Sequence, residues 1–250
     1  MTQRRRVGIV VVPRYFDTTP KELVELRPEI DMLHTQIRVD GDFGYGLDEI
    51  AACADEIEAC AVSLADAGAD VILQLGTPFS TVHGWTGGEQ LRQRIEDRCG
   101  RPFEMMGLSV PAGVHAVGGS SVALATTYYG DEWVARYRAF AEEAGLRVVG
   151  AQSFTDQGHF ADADTAFAAA FELFPDALIE ASLVEVAEAH PDAEVIMVPG
   201  IPGRFVHLVP DLERRIGKPI VGYFAIWWRC LQRLGIAPDP ARGQLFAPPA

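Results

Sequence analysis

Two stretches of this sequence end alike: residues 69–78 read ADVILQLGTP, and 124 positions later residues 193–202 read AEVIMVPGIP. Each is an acidic-flanked run of branched apolar residues that stops at a Gly turn, as a buried strand does where it hands over to a helix. From Val7 the chain runs strand, long region, helix and then the first of these ends; from Val122 it repeats the same order to the second. One α/β plan written twice predicts two similar lobes, and open parallel sheets bind their ligands beyond the carboxyl ends of the strands. The expectation is two parallel-sheet α/β/α (Rossmann-like) lobes related by a pseudo-twofold. The turns after Val12, Leu75, Thr126 and Val198 would line one active-site cleft between them. The lobes are expected at 1–117 and 118–221, with a C-terminal helix at about 222–250 returning to the first.

The rest of the pattern agrees with an α/β fold. Apolar runs at 7–12, 33–39, 70–75, 103–107, 121–126, 146–151, 194–198 and 219–223 read as strands buried on both faces. Helical periodicity fills 46–67, 87–99, 110–117, 131–144, 175–190, 209–216 and 225–234. Gly68, Gly100, Gly118, Gly145, Gly217 and Gly235 fall just past helix ends, where a left-handed cap is wanted. ADAGADVI, EEAGLRVV and RIGKPIV are joints of that kind.

Charge excludes some partners. A formal net charge of -14 argues against nucleic acid and anionic membrane, because a phosphate-binding face needs a basic excess. The basic opening MTQRRRV reads as a solvated start before a buried strand. Without a membrane-length apolar run or a signal sequence, the expected location is the cytoplasm. Cys53, Cys60, Cys99 and Cys230 lie apart from one another and from any histidine at ligand spacing, so they read as reduced thiols, with no metal site. There is no GxGxxG, P-loop, HExxH or GxSxG; GDFGYG at 41–46 follows no clear strand, and no cofactor is implied.

LGTPFS (75–80), VALATTYYGDE (122–132), VIMVPGIPG (195–203) and VPDLERRIGKPIV (209–221) together resemble the aspartate/glutamate racemase superfamily. The closer likeness is to its arylmalonate decarboxylase and maleate cis-trans isomerase branch. It covers nearly the whole chain, most weakly at 14–45. In that superfamily two opposed turns usually each carry a cysteine that moves a proton at a carbon next to a carboxylate; in maleate isomerases one of them attacks the alkene. The decarboxylases keep the second cysteine and have Gly at the first position. By this resemblance the first position is Gly76 and the second is Pro199 or Gly200, so neither carries a thiol.

The residues left at these turns define the chemistry. Thr77 and Ser80, a hydroxyl pair on a turn that opens a helix, suit a carboxylate or oxyanion, although Pro78 between them lacks an N–H. Both also read as an ordinary capped strand-to-helix turn. Tyr128 is where the resemblance puts a carboxylate-binding tyrosine, able to donate a proton to an enolate; Tyr129 beside it competes for the structural role. Arg204 follows PGIPG and can clamp a carboxylate, or simply face solvent. His159, in a loop that by the resemblance overhangs the cleft, is the remaining acid or base with a pKa near neutrality. His83 and His207 are weaker candidates, and Pro13 matches the family's pattern as a shaping residue.

The expected function is a cofactor-independent lyase or isomerase acting on a small carboxylate through a carbanion or enediolate without cysteine catalysis. Catalytic roles fall to Tyr128 and His159; Pro13, Gly76, Thr77, Ser80, Pro199, Gly200 and Arg204 are expected to bind substrate. Two alternatives stay open: a hydrolase or hydratase using His159 and water, or a carboxylate-binding protein without catalysis. The apolar stretch FAIWWRCL at 224–231 fits a subunit contact of a homo-oligomer or a final amphipathic helix.

Overall fold

The computed structural model describes residues 4–247; Met1–Gln3 of the basic opening lie outside the described residues, and Arg4–Arg6 are exposed. Contacts divide the chain into two units, Met1–Ser109 with Arg229–Ala237, and Val110–Trp228 with Pro238–Ala250. The boundary expected after residue 117 falls at 109, and only Arg229–Ala237 of the expected returning segment groups with the first unit. The reason lies in the last helix. Cys230, Leu231 and Leu234 are buried, and Arg233 Nε lies 2.6 Å from the buried carboxylate of Glu104 in the first unit. Phe246, by contrast, packs against Phe224 within the second unit.

The elements run β1 (Arg6–Val11), α1 (Thr19–Leu26), β2 (Asp31–Gln36), α2 (Leu47–Ala51), α3 (Ala54–Asp66), β3 (Val71–Gln74), α4 (Pro78–Thr81), α5 (Gly84–Cys99), β4 (Phe103–Met105) and α6 (Met106–Ala116). They continue as β5 (Ser121–Thr127), α7 (Asp131–Glu143), β6 (Arg147–Ser153), α8 (Ala163–Ala169), α9 (Asp176–Ala189), β7 (Val195–Met197), α10 (Val209–Ile216), β8 (Ile220–Val221) and α11 (Ala225–Leu234). All eight expected strands form. They make two four-stranded parallel sheets of the same winding, β2-β1-β3-β4 and β6-β5-β7-β8. The fold is therefore α/β, as the repeat predicted.

In the first unit α3 lies on β1, β2 and β3, and α5 lies on α3 and β4. The buried stripe of α3 is Ile57, Cys60, Ala61 and Leu64, spaced for one face of a helix. Each large member of such a stripe contributes about 1.5–3 kcal/mol by leaving water. In the second unit α9 covers β5 and β7, α7 packs on β6, and α10 on β8. The six glycines expected as left-handed caps all have positive φ, from 63° to 92°. Among the described residues no helix is long and apolar enough to cross a membrane.

Three details differ from the periodicity. The helix expected over 46–67 breaks at Ala52–Cys53, where Cys53 N–H turns back to the Ile50 carbonyl and its thiol to the Glu49 carbonyl at 3.3 Å. Helices α1 and α8 are additional. The start of α8 is fixed by Asp162, whose carboxylate accepts the Thr165 N–H at 2.7 Å.

Candidate active site

In a sheet wound β2-β1-β3-β4 the chain leaves β1 in opposite directions, so the carboxyl ends of β1 and β3 flank the switch point where ligands bind. In the first unit that point is made by Pro13 and the turn Leu75-Gly76-Thr77; Pro13, Leu75 and Thr77 are buried and Gly76 is half-buried. Gly76 has φ +93°, and a Cβ there would sit 2.5 Å from Val12 Cγ1. No residue with a side chain fits this backbone without strain. Its N–H donates to Met106 Sδ at 3.3 Å, and its carbonyl accepts the buried amide of Gln74 at 3.2 Å. Thr77 precedes the single turn α4 without a side-chain cap, and its carbonyl accepts the hydroxyls of Ser80 at 3.3 Å and Thr81 at 3.0 Å. Ser80 is fully buried with its hydroxyl 2.1 Å from where a Cβ on Gly107 would lie, so it is built into the underside of the turn.

Over the end of β1 two loops are knitted together. Tyr45 hydroxyl donates to the Pro13 carbonyl, Arg14 guanidinium to the Gly41 carbonyl, and Gln36 Nε2 to the Val12 carbonyl at 2.9 Å. Burial, reinforced by the nearby Asp17 charge, pushes the Tyr45 phenol up to about 12, so it stays a donor at neutral pH. Burial likewise raises the Asp17 carboxyl, against the pull of its hydrogen bonds to Thr19. Tyr45 was passed over in the sequence because its glycine-rich loop lacks a nucleotide-loop context; an aromatic framed by Gly44 and Gly46 was the signal.

The second unit has the same switch point at the ends of β5 and β7. Strand register relates the two: Val7 pairs with Val71, and Val122 with Val195. The offsets are 122 − 7 = 115 for the central strands and 195 − 71 = 124 for their neighbours. Carried past the strand ends without insertion, Pro13 corresponds to Tyr128 and Gly76 to Gly200. Counted from the last pairs instead, Val10 with Gln74 and Leu124 with Met197, the offset is 197 − 74 = 123 and Gly76 falls at Pro199, so the second position stays between Pro199 and Gly200. Tyr128 is half-buried and stacks on Tyr129 with ring centroids 4.2 Å apart; Phe167 and Phe174 stand 6.2 and 6.3 Å away. Tyr129 is the core partner of the pair, buried against Tyr137 at 4.8 Å. Pro199 and Gly200 are buried, and Arg204 is half-buried beyond them.

Thr127 has φ 55° and donates its hydroxyl to the Gly200 carbonyl at 2.9 Å. Arg14, Tyr45 and Thr127 are the non-glycine residues with positive φ among those described, and all three lie beside a switch-point turn. Such conformations cost on the order of 1–3 kcal/mol each and gather at functional sites.

A family model for arylmalonate decarboxylase matches residues 7–246. The chain belongs to the arylmalonate decarboxylase family. The arylmalonate decarboxylase of Bordetella bronchiseptica is 27% identical over 240 residues, 95% of each chain. A crystal structure of an arylmalonate decarboxylase variant in liganded form, with one glycine changed to cysteine and one cysteine to serine, superposes with a TM-score of 0.83. The identity is 25%, over 97% of this chain and 98% of that one. The maleate isomerase Iso from Pseudomonas putida S16 shares the fold, with a TM-score of 0.77 at 16% identity over 98% of this chain and 99% of that one. The resemblance to this branch of the racemase superfamily is borne out.

The four thiols of this chain sit away from both turns. All four belong to the first unit, on helices or at their ends. Burial raises every one: Cys53 to about 11, Cys230 to about 12, and Cys60 and Cys99 in the same direction. None stands on a strand-end turn. His159 is held against α9, its Nε2 3.4 Å from Glu185 Oε2. Its loop is pinned by Gln157, whose amide exchanges hydrogen bonds with Ser182 at 3.0 and 2.6 Å. Toward Tyr128 it is linked through rings, Phe154 at 6.1 Å and then Phe174. His207 pairs with Asp176 at 2.9 Å. Of the two expected catalytic groups, Tyr128 lies at the switch point and His159 along α9.

Proposed function

We propose that this protein decarboxylates a small malonate-type dicarboxylate carrying an aromatic substituent, through an enediolate protonated by Tyr128 and without a thiol. The observation that carries this reading is the backbone at Gly76: φ +93°, with a Cβ 2.5 Å from Val12 Cγ1. A position that holds no side chain holds no base, and racemisation needs bases on two opposed faces. Decarboxylation needs one proton donor. Membership of the arylmalonate decarboxylase family supports the same chemistry.

In the proposed reaction the bond between the α-carbon and one carboxylate breaks, and its electron pair moves onto the α-carbon and the remaining carboxylate. Carbon dioxide leaves. The Tyr128 hydroxyl gives its proton to the α-carbon and recovers one from water, leaving an arylacetate. The enediolate carries an extra negative charge, so oriented donors matter more to it than to the substrate. Thr77 at the first turn and Arg204 beside the second are the residues to which we assign carboxylate binding. Each such donor is worth roughly 2.7–4 kcal/mol where water is excluded.

Proton NMR in D₂O with phenylmalonate tests the reading: phenylacetate should appear with one deuterium at its α-carbon. Tyr128→Phe should lower kcat by about 10²–10⁴, the usual worth of a positioned general acid, while His159→Ala changes it less than about threefold. Unaltered turnover in Tyr128→Phe sinks the assignment of the donor. A wild-type protein that leaves phenylmalonate intact sinks the decarboxylase.

A further inference from the structure

Gly200 carbonyl is turned toward the end of β5, where it accepts the Thr127 hydroxyl out of contact with solvent. No peptide bond among the described residues is cis, so the C=O and N–H of one peptide unit point in opposite directions. Holding the Gly200 carbonyl on the β5 side therefore aims the Ile201 N–H away from it. Thr127 does this from an unfavourable backbone, since a β-branched residue at φ 55° is a true outlier. A register slip against β6 between Ala125 and Thr127 places it there, and its own carbonyl accepts the Phe154 N–H at 2.6 Å. The next residue is Tyr128. One buried side chain thus fixes both how Tyr128 leaves its strand and how the peptide after Gly200 is turned.

The first unit reaches the same end with a different residue. There the amide of buried Gln74 donates to the Leu75 carbonyl and, at 3.2 Å, to the Gly76 carbonyl on the turn after β3. In each unit a buried side chain thus holds carbonyls of the turn beyond β3 or β7, once from the same strand and once from the neighbouring one.

We propose that Thr127 is a positioning residue: by clamping the Gly200 carbonyl it presents the Ile201 N–H, together with the Tyr128 phenol, to the carboxylate of the substrate and to the enediolate formed from it. This rests on the function proposed above. The hydroxyl is the working part, so Thr127→Ser should keep the clamp and Thr127→Val should lose it at nearly constant volume. Thr126→Val is the control, because the Thr126 hydroxyl is buried without a hydrogen-bond partner.

The experiment measures kcat and KM for phenylmalonate, and the affinity for unreactive phenylacetate, in the wild type and these three variants. Thr127→Val should lower kcat about tenfold or more with KM changed much less, because the misdirected donor matters most to the enediolate. Thr127→Ser and Thr126→Val should both stay within about threefold of wild type, a rescue that loss of packing alone does not give. Wild-type activity in Thr127→Val, or equal damage in Thr127→Ser, overturns the proposal. If the wild type leaves phenylmalonate intact, the decarboxylase reading fails by itself and phenylacetate affinity decides the clamp. Weakening of about tenfold in Thr127→Val alone supports it; equal affinities, or no binding by the wild type, overturn it.

Discussion

Gly76 and Gly200 each stand on the turn beyond the strand next to the central one, β3 or β7, yet they differ in what they tolerate. Gly76 lies at φ +93° with Val12 and Phe79 against the space a Cβ needs, whereas Gly200 is not among the left-handed residues. Installing a thiol at each separates the two causes of strain. Gly76→Cys should lower the urea-unfolding free energy by about 1–3 kcal/mol from backbone and overpacking, and Val12→Ala should recover only the overpacking share. Gly200→Cys should be milder by at least about 1 kcal/mol, having no left-handed penalty. Equal losses would show that φ is not what keeps Gly76 a glycine. The sequence showed that both turns lack cysteine but left the second position open between Pro199 and Gly200, because a Gly turn looks alike in either register. Strand pairing leaves both in place, since the first pairs of the two ladders lead to Gly200 and the last pairs to Pro199. Thr127 and Tyr45 were illegible for a related reason: their importance lies in a positive φ, and neither residue type announces one.

At the scale of elements, long periodic segments were readable and short capped ones were not. The eight strands and the glycine-terminated helices follow from runs and caps, while α1 (TPKELVEL) and α8 (ADTAFAA) are too short for a periodicity to stand out. Equally invisible was the joint at the amino ends of β5 and β7. There Glu194 accepts the N–H groups of Ser120 and Ser121 at 2.8 and 2.9 Å and the Ser120 hydroxyl at 2.8 Å. These hydrogen bonds, the Ser120 N–H first, hold the Glu194 carboxyl down at about 2, below its ordinary 4.5. A depressed carboxylate stabilises the fold fully above its unfolded pKa and loses that contribution as pH falls through the folded one. Wild type should therefore melt above Glu194→Gln by a constant margin from neutrality down to about pH 5, and the margin should shrink toward zero by about pH 2. Melting curves across that range check it, and a margin that grows on acidification would reverse the sign and refute the linkage.

The whole molecule is less divisible than its repeat suggests. The first unit takes Arg229–Ala237 from the far end of the chain, so a cut after Ser109 leaves it incomplete. What is lost can be weighed. Glu104, on the edge strand β4 and only 1% exposed, meets Arg233 Nε at 2.6 Å and Arg229 Nε at 3.4 Å. A buried carboxylate stripped of its cations costs about 3–5 kcal/mol. Cys230, Leu231 and Leu234 go with them, all buried in the full chain, and each leucine is worth about 1.5–3 kcal/mol of burial. Together these losses reach the whole stability of an ordinary domain, about 5–15 kcal/mol. The fragment 1–109 should therefore give a collapsed amide spectrum without cooperative unfolding, despite containing all four strands of its sheet. A synthetic peptide covering 225–237 should restore dispersion, and its Arg233→Ala form should do so only weakly, because Arg233 makes the shorter contact to Glu104. A well-dispersed spectrum from the fragment alone would mean that the sheet and its own helices suffice. Restoration by the Arg233→Ala peptide as strong as by the native one would mean that apolar burial, and not the Glu104 ion pair, makes α11 indispensable.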